Sequence, residues 1–249
     1  MKTDELLSAT VEEYLETIYN MSMEDEVVIG ARLAERFQVS APTVTEMLKR
    51  LVKGGYIEMN SKRHVTLTEA GYQAAEAVLR RHRLTERFLV DMLGMQWHEV
   101  HEEACRLEHF ISGAVEARVT SNLNNPTTCP HGNPIPGLIS NARTYLKDMH
   151  AVRLSTIGNG TRVKVLLISE VVEDEEALIM YMHEKGLTPG TEVVMLAQAR
   201  PVADTSPVTD DLTEKDVPAG IEEVKLLVNE QVILISALAA SKLWVVSLS

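Results

Sequence analysis

The chain has 249 residues, with 24 Lys and Arg against 36 Asp and Glu, 45% hydrophobic residues and 4% aromatic ones. The apolar share excludes wholesale disorder, and the length fits one large domain or two to three small ones. A net charge of −12 argues against a protein that coats nucleic acid indiscriminately, but it leaves room for a local basic reading surface.

The acidic start, Met1 to Glu5, has no apolar core behind it, so no export signal is expected. Residues 10–110 read as mainly helical. Val11, Tyr14, Leu15 and Ile18 recur at helical spacing, with Thr10 as cap and Glu13 three residues on. Residues 29–37 form a short second helix. Residues 42–52 form a third, with Ser40 as N-cap, Pro42 in the first turn and Gly54-Gly55 as the stop. Residues 56–59 and 64–67 alternate as two strands around Asn60-Ser61-Lys62-Arg63, a hairpin signal. A helix opening at Thr68 runs past Arg80, Arg81 and Arg83 to a break at Gly94, and one further helix covers 97–119. Residues 122–137 read as an ordered loop stiffened by Pro126, Pro130, Pro134 and Pro136, with a short helix near 140–149.

Beyond about residue 150 the period changes. Residues 161–168, 192–196, 223–228 and 231–235 read as strands, with a helix over 175–185 and a short helix or turn over 236–243. Such spacing suits a small barrel. The stretch 199–220 is acidic and reads as a solvated loop of that barrel, or alternatively as a partner-binding tail. The apolar run 232–240 is too short to span a bilayer, so a soluble chain without membrane contact is expected. Two cysteines, Cys105 and Cys129, cannot build a disulfide framework, which points to a reducing cytoplasm.

Helix, tight turn, helix and hairpin, in that order, make a winged helix-turn-helix, whose second helix enters the major groove of double-stranded DNA. Between Pro42 and Arg63, Lys49, Arg50, Lys53, Lys62 and Arg63 outnumber Glu46 and Glu58, so this segment is locally positive in an acidic chain. The positive charge sits at the helix end and the wing tip, where phosphates would be met, and Ser40, Thr43 and Thr45 are short donors for phosphates or base edges.

A second pattern points to metal. With about 100° per residue, and His101 set at 0°, Cys105 falls near 40°, Glu108 near 340° and His109 near 80°, one sector of a helix. Val100, Ala104, Leu107, Phe110 and Ile111 fall opposite and are expected to face a core. A solvated face explains the glutamates, but it explains two histidines and a cysteine poorly. His82 with Glu86, and Glu13 with Glu16, are further helical pairs that read either as surface pairs or as ligands. Cys129 and His131 set a thiol and an imidazole in the Pro-stiffened loop; with two cysteines, zinc-finger spacing is absent.

At these residues the chain resembles the diphtheria-toxin-repressor family of metal-dependent regulators, which includes manganese-transport regulators. The resemblance rests on Glu12 to Tyr19, Ser40 to Thr45, Arg81 to Leu84, His101 to His109 and Gly132 to Gly137, with Gly186 to Val193 similar to the family's SH3-like domain. It implies a multidomain protein: a winged helix-turn-helix over 1–74, a helical metal-binding and dimerisation domain over 75–149, and an SH3-like β-barrel over 150–249. It further implies a homodimer on a palindromic operator, with two metal sites per chain. One site would use Glu13, Cys105, Glu108 and His109, with Glu16 as an occasional bridge. The other would use His82, Glu86 and His101 with an acid, Glu175 by position and Asp174 or Glu176 near enough to substitute. Cys129 and His131 resemble the residues that join this second site in manganese-type members. Glu13 stands where iron-type members carry Met, Cys105 where some manganese-type members carry Glu, and Glu46 where the iron-type repressor has Gln.

The function expected is a repressor with Mn²⁺ or Fe²⁺ as corepressor, and with Co²⁺, Ni²⁺ or Zn²⁺ able to substitute in vitro. Two other readings are a winged-helix regulator answering a non-metal ligand, and a zinc hydrolase using His101, Cys105 and His109 with Glu108 as base. The second lacks a His-Glu-x-x-His string, a nucleophile elbow and a glycine-rich phosphate loop, so an enzyme is not expected.

Overall fold

A computed structural model describes residues 7–172, 174–197 and 223–248, and the acidic stretch 199–220 lies outside them. Two compact units emerge, one of residues 1–149 with 170–180, the other of 150–169 with 181–249.

In the first unit, α1 (Ala9–Met23) buries Val11, Tyr14, Leu15, Ile18 and Tyr19. It starts two residues earlier than a Thr10 cap implies: Ser8 is the N-cap, although its side chain makes no capping bond. α2 (Gly30–Arg36) and α3 (Ala41–Lys53) follow. Ser40 caps α3 by accepting from the Thr43 amide at 3.3 Å. α3 buries Val44, Leu48 and Leu51 and leaves Thr45, Glu46, Lys49 and Arg50 exposed, so one face packs and the other faces water. β1 (Ile57–Met59) and β2 (Val65–Leu67) pair antiparallel. Asn60 Oδ1 accepts from the amides of Lys62 and His64 at 2.9 and 3.0 Å, which holds the wing tip. Side chains of α1, α2, α3 and the hairpin form one apolar core with Ala75 and Leu79 of α4 (Glu69–Asp91). Each fully buried Leu or Ile there stabilises by roughly 1.5–3 kcal/mol. Gly71 permits the close descent of α4, because a Cβ at that position would lie 2.0 Å from the Tyr56 carbonyl oxygen.

The single helix expected over 97–119 is broken. α5 (Val100–Leu107) passes into a 3-10 turn (Glu108–Phe110), and α6 (Gly113–Asn122) begins afresh. The cause is local: Ile111 is extended, and Ser112 Oγ accepts from the Val115 amide as a new N-cap. The apolar side of the helical wheel divides accordingly. Val100 and Ala104 are buried, whereas Leu107 and Phe110 are 41% and 86% exposed. In the Pro-rich loop, Cys129 N bonds Asn133 O and Gly132 N bonds Cys129 O, a tight turn that needs Gly132 at φ 89°. A 3-10 turn (Ala142–Thr144) and α7 (Tyr145–Asp148) close this stretch.

The remaining elements are β3 (Val152–Arg153), β4 (Arg162–Ile168), α8 (Glu175–Glu184), β5 (Glu192–Ala197), β6 (Glu223–Val228), β7 (Gln231–Ser236), α9 (Ala237–Ser241) and β8 (Leu243–Ser247). The first residues of α8, through Met180, count with the first unit. The strands form one antiparallel sheet in the order β3-β8-β4-β5-β6-β7. Register shifts at Val165/Leu167 and Met195/Ala197 mark bulges, which bend strands. Among the described residues the sheet is not closed, so the expected barrel is corrected to an open six-stranded sheet with β3 and β7 at its edges. β3 and β8 were not expected: β3 has two residues, too few for a periodic signal, and β8 begins directly behind α9.

Candidate metal centre

α4 sets His82 and Glu86 one turn apart, both buried. α5 carries His101 and Cys105, the 3-10 turn carries Glu108 and His109, the tight loop turn carries Cys129 and His131, and Glu175 opens α8. All lie in the first unit.

Around Glu86 three imidazoles converge. Oε1 is 3.2 Å from His82 Nε2, 3.0 Å from His131 Nδ1 and 3.7 Å from His101 Nδ1. The ligand atoms of Glu86, Cys129 and His131 all lie within 4.8 Å of one another. His131 Nε2 bonds the Trp97 carbonyl at 2.8 Å, so a neutral ring turns its Nδ1 lone pair toward Glu86. Glu175 Oε1 stands 3.5 Å from His101 Nδ1. Burial opposes ionisation of Glu86, but His131 and His82 outweigh it and hold the carboxyl well below its usual range. Burial likewise opposes charge on His101, yet Glu175, Cys105 and Glu86 push it up to about 12. His82 is held well above its ordinary value by Glu86, Cys105 and Glu108 against the opposing effect of burial. Burial and the nearby Glu86 push the Cys129 thiol up. Glu86 Oε2, His101 Nδ1 and His131 Nδ1 are buried yet make no hydrogen bond among the described residues. Buried imidazole and carboxylate atoms without hydrogen bonds, gathered at one carboxylate, fit a divalent transition ion.

The other set lines an open cavity of about 610 Å³ that includes Glu13, Glu16, Cys105, Glu108 and His109. His109 Nε2 is 3.2 Å from Glu108 Oε1. Desolvation raises Glu13, with Glu108 adding to it against His109. Desolvation and Glu108 together raise Glu16 well above its usual value. Carboxylates crowded in this way fit a cation. Burial opposes the Cys105 thiolate, but His101 and His82 lower its pKa overall. Cys105 Sγ is 3.6 Å from His101 Nε2, and the ligand atoms of His82, His101 and Cys105 lie within 4.8 Å of one another. His82 joins the two sets, with Nε2 toward Glu86 and Nδ1 2.5 Å from Glu108 Oε2. Of the alternatives to Glu175, Glu176 also lines the cavity and is raised chiefly by Glu102, while Asp174 Oδ1 caps α8 at the Ala177 amide.

Sequence reasoning missed Glu12. Its Oε2 lies 2.6 Å from His109 Nδ1, its Oε1 accepts from Arg81 at 2.9 Å, and Arg81 also donates to the Glu108 carbonyl at 2.8 Å. This arrangement fixes the ring of His109 with Nε2 toward the cavity. Glu12 sits beside Glu13 in the sequence, and the signal that could have found it is the coincidence of a carboxylate, a histidine and Arg81 across three elements. Glu170 was also missed; it is buried and clamped by Arg83.

On the reading head, Thr45, Lys49, Lys53, Lys62 and Arg63 line one groove with no acidic side chain among its lining residues. Pro42 and Arg50 are exposed on α3. Ser40 Oγ and Thr43 Oγ1 are 2.9 Å apart, Thr45 Oγ1 donates to the Ala41 carbonyl, and Glu46 pairs with Lys49 at 2.8 Å. The short hydroxyls are therefore already engaged with α3 itself, and the positive charge lining the groove comes from Lys49, Lys53, Lys62 and Arg63.

Residues 6–65 match the family described as "Iron dependent repressor, N-terminal DNA binding domain", and residues 68–137 match "Iron dependent repressor, metal binding and dimerisation domain". The chain is 42% identical over 191 residues to the iron-dependent repressor IdeR of Mycobacterium tuberculosis, covering 75% of this chain and 83% of the relative. The chain belongs to the iron-dependent repressor family. The diphtheria toxin repressor of Corynebacterium efficiens is 37% identical over 188 residues, covering 74% of this chain and 81% of that one. A solved manganese-dependent transcriptional repressor in complex with manganese is 30% identical, has a TM-score of 0.72 and covers 96% of this chain and 100% of its own. The family is one of transcriptional repressors, so the hydrolase reading does not stand. Among the described residues no helix is long and apolar enough to cross a membrane.

Proposed function

We propose that this chain is a metal-activated transcriptional repressor of metal homeostasis: a cytoplasmic homodimer that grips a palindromic operator when Mn²⁺ or Fe²⁺ occupies two sites per chain. The observation that carries this reading is the buried Glu86 carboxylate among His82, His101 and His131, with Glu86 Oε2, His101 Nδ1 and His131 Nδ1 making no hydrogen bond among the described residues. Glu175 and Cys129 complete this site. The other site takes Glu13, Cys105, Glu108 and His109, with Glu16 as a bridge and Glu12 orienting His109. Three sequence domains, 1–74, 75–149 and 150–249, accompany this reading, with α4 running unbroken across the first border. Exposed Phe110, Leu107 and Val115 supply an apolar face suited to a second subunit.

α1 carries Glu13 and Glu16 and packs in the core of the reading head, so whatever fixes those carboxylates fixes the head. Without a counter-charge, Glu13, Glu16 and Glu108 repel across the cavity. A divalent cation, when bound, supplies the positive charge that offsets this repulsion. The wings of the dimer then take the spacing of two half-sites, a population shift that requires tighter metal binding by the DNA-competent form. Lys49, Arg50, Lys53, Lys62 and Arg63 meet phosphates, and Ser40, Pro42, Thr43, Thr45 and Glu46 present the α3 face to base edges. Mn²⁺ and Fe²⁺ suit a carboxylate-rich set with one thiolate; Zn²⁺, Co²⁺ and Ni²⁺ bind in vitro by the usual affinity order.

Equilibrium dialysis of Mn²⁺ tests this, with promoter-fragment binding measured in parallel. The expected stoichiometry is two ions per chain, falling to one in Glu13→Ala and in His109→Ala with loss of DNA binding. Unchanged stoichiometry and ion dependence in both variants overturns the assignment.

A further inference from the structure

Arg36 is the last residue of α2, the first helix of the helix-turn-helix pair, and is half-buried. It points at the acidic segment that precedes and opens α8. Its Nη2 donates to the Glu170 carbonyl at 2.8 Å and lies 3.9 Å from Glu175 Oε2. Glu175 therefore straddles two cations, with Oε2 toward Arg36 and Oε1 toward His101.

Glu170 is a hub. Arg83 holds its carboxylate with both Nε and Nη2, at 3.1 and 2.6 Å, a bidentate pair of fixed orientation. The same guanidinium reaches Asn20 Oδ1 on α1 at 3.1 Å and the Pro134 carbonyl at 2.6 Å. Five pieces of chain meet here: α1, α2, α4, the loop that bears Cys129 and His131, and the segment that bears Glu175. Three of these carry candidate ligands of the buried site, and α2 belongs to the part that reads DNA.

Arg36 has no role in this network as a ligand. A protonated guanidinium does not bind a metal cation, and among the described residues its polar contacts run to Glu170 and Glu175. Phosphate contact is also a poor account, since the side chain is committed to the acidic segment. What the geometry gives it is leverage: moving Glu175 by the distance needed to close on His101 moves the anchor of α2. Such a link is short, charged and buried at its base, the kind of element through which two sites bias one equilibrium.

We propose that Arg36 is a positioning residue that couples the buried Glu86–His101–Glu175 site to the DNA-reading helices through Glu170 and Glu175. The inference rests on the functional reading above and adds a role for the buried site that the open one does not have: it bears on the reading head through α2, whereas the open site bears on it through α1.

The test uses the full chain without DNA, so that metal response and operator binding are separated. Amide hydrogen exchange is followed with and without saturating Mn²⁺ in wild type, Arg36→Gln and Arg36→Lys, with Glu35→Gln as a surface control. Mn²⁺ stoichiometry is measured on the same samples. In wild type, Mn²⁺ slows exchange both in residues 170–180 and in α2, the latter by at least about fivefold, the low end of typical coupling between sites. In Arg36→Gln the protection of 170–180 and the uptake of two ions persist, and the protection of α2 falls below about twofold. Arg36→Lys, which keeps one donor and the charge, regains part of it, and Glu35→Gln behaves as wild type. If α2 in Arg36→Gln is protected as in wild type, the coupling is overturned while the metal sites stand. If wild type takes up no Mn²⁺, the functional reading itself falls, and the coupling with it.

Discussion

The two candidate sites share His82 and differ in almost everything else. The site around Glu86 is mostly buried and rich in imidazole, and its opposite charges favour one another against burial, with His82 and His101 raised and Glu86 lowered. The site around Glu13 is open to a cavity and rich in carboxylate, and desolvation, with Glu108 adding to it, raises Glu13 and Glu16. The first draws its residues from α4, α5, the tight loop turn and α8; the second also draws on α1. His82 joins the two, with Nε2 toward Glu86 and Nδ1 toward Glu108.

The sharpest way to break that comparison is to remove the acids. Glu13→Ala is expected to cost at least about tenfold in metal-dependent operator affinity, an effect typical even of partners one shell outside a metal. Its metal-free stability, read by urea melts in EDTA, is expected to change by less than about 0.5 kcal/mol, as for an exposed position. Glu86→Gln is expected to do the reverse. It strips the carboxylate from two buried imidazoles and a half-buried one and lowers metal-free stability by about 3 kcal/mol, with a weaker loss of operator response than Glu13→Ala. Equal effects of the two variants on both measurements would erase the distinction.

Acid and base sharpen it further. His101 is raised from 6.5 to about 12, so its contribution to metal-free stability is fully present below pH 6.5 and is lost as pH climbs through the folded value. Glu86 is lowered from 4.5, so its contribution is present above pH 4.5 and is lost as pH falls through the depressed value. The contributions of these two groups are therefore jointly complete between pH 4.5 and 6.5, and urea melts of Glu86→Gln and His101→Gln against wild type, run inside and outside that window, will check it. Ion uptake must displace these protons, so calorimetry in buffers of different ionisation enthalpy is expected to show release of on the order of one to two protons per chain at pH 7.

The smallest effect concerns the wing. Lys62→Ala is expected to reduce the slope of log affinity against log salt by about 1 while leaving the preference among operator sequences unchanged, as the proposed phosphate contact of a wing-tip lysine requires. A change of sequence preference would move Lys62 from the backbone to the groove.

Much of this molecule was legible in its residues. The reading head was written in short-range signals: the Ser40 cap, Pro42, the Gly54-Gly55 stop and the Asn60 turn are all local chemistry, and the structure places each at an element's edge. The helix over 97–119 was misread because a period of 3.6 continues through Ser112, whose capping role depends on Ile111 leaving the helix. The burial of Leu107 and Phe110 was misread because a stripe does not say whether it packs within a chain or against another. The open sheet depended on long-range pairing, including two-residue β3, that no local pattern specifies. Residues that bear candidate ligands were visible by type and spacing. Glu12, Glu170 and Arg36 were not, because their meaning arises only where distant stretches meet.

The most direct measurement is operator binding by one preparation in two states, stripped with a chelator and then replenished with Mn²⁺. The account predicts that the stripped protein releases the operator fragment and that Mn²⁺ restores binding, with Glu13→Ala failing to recover. Equal grip on the fragment in both states would contradict it.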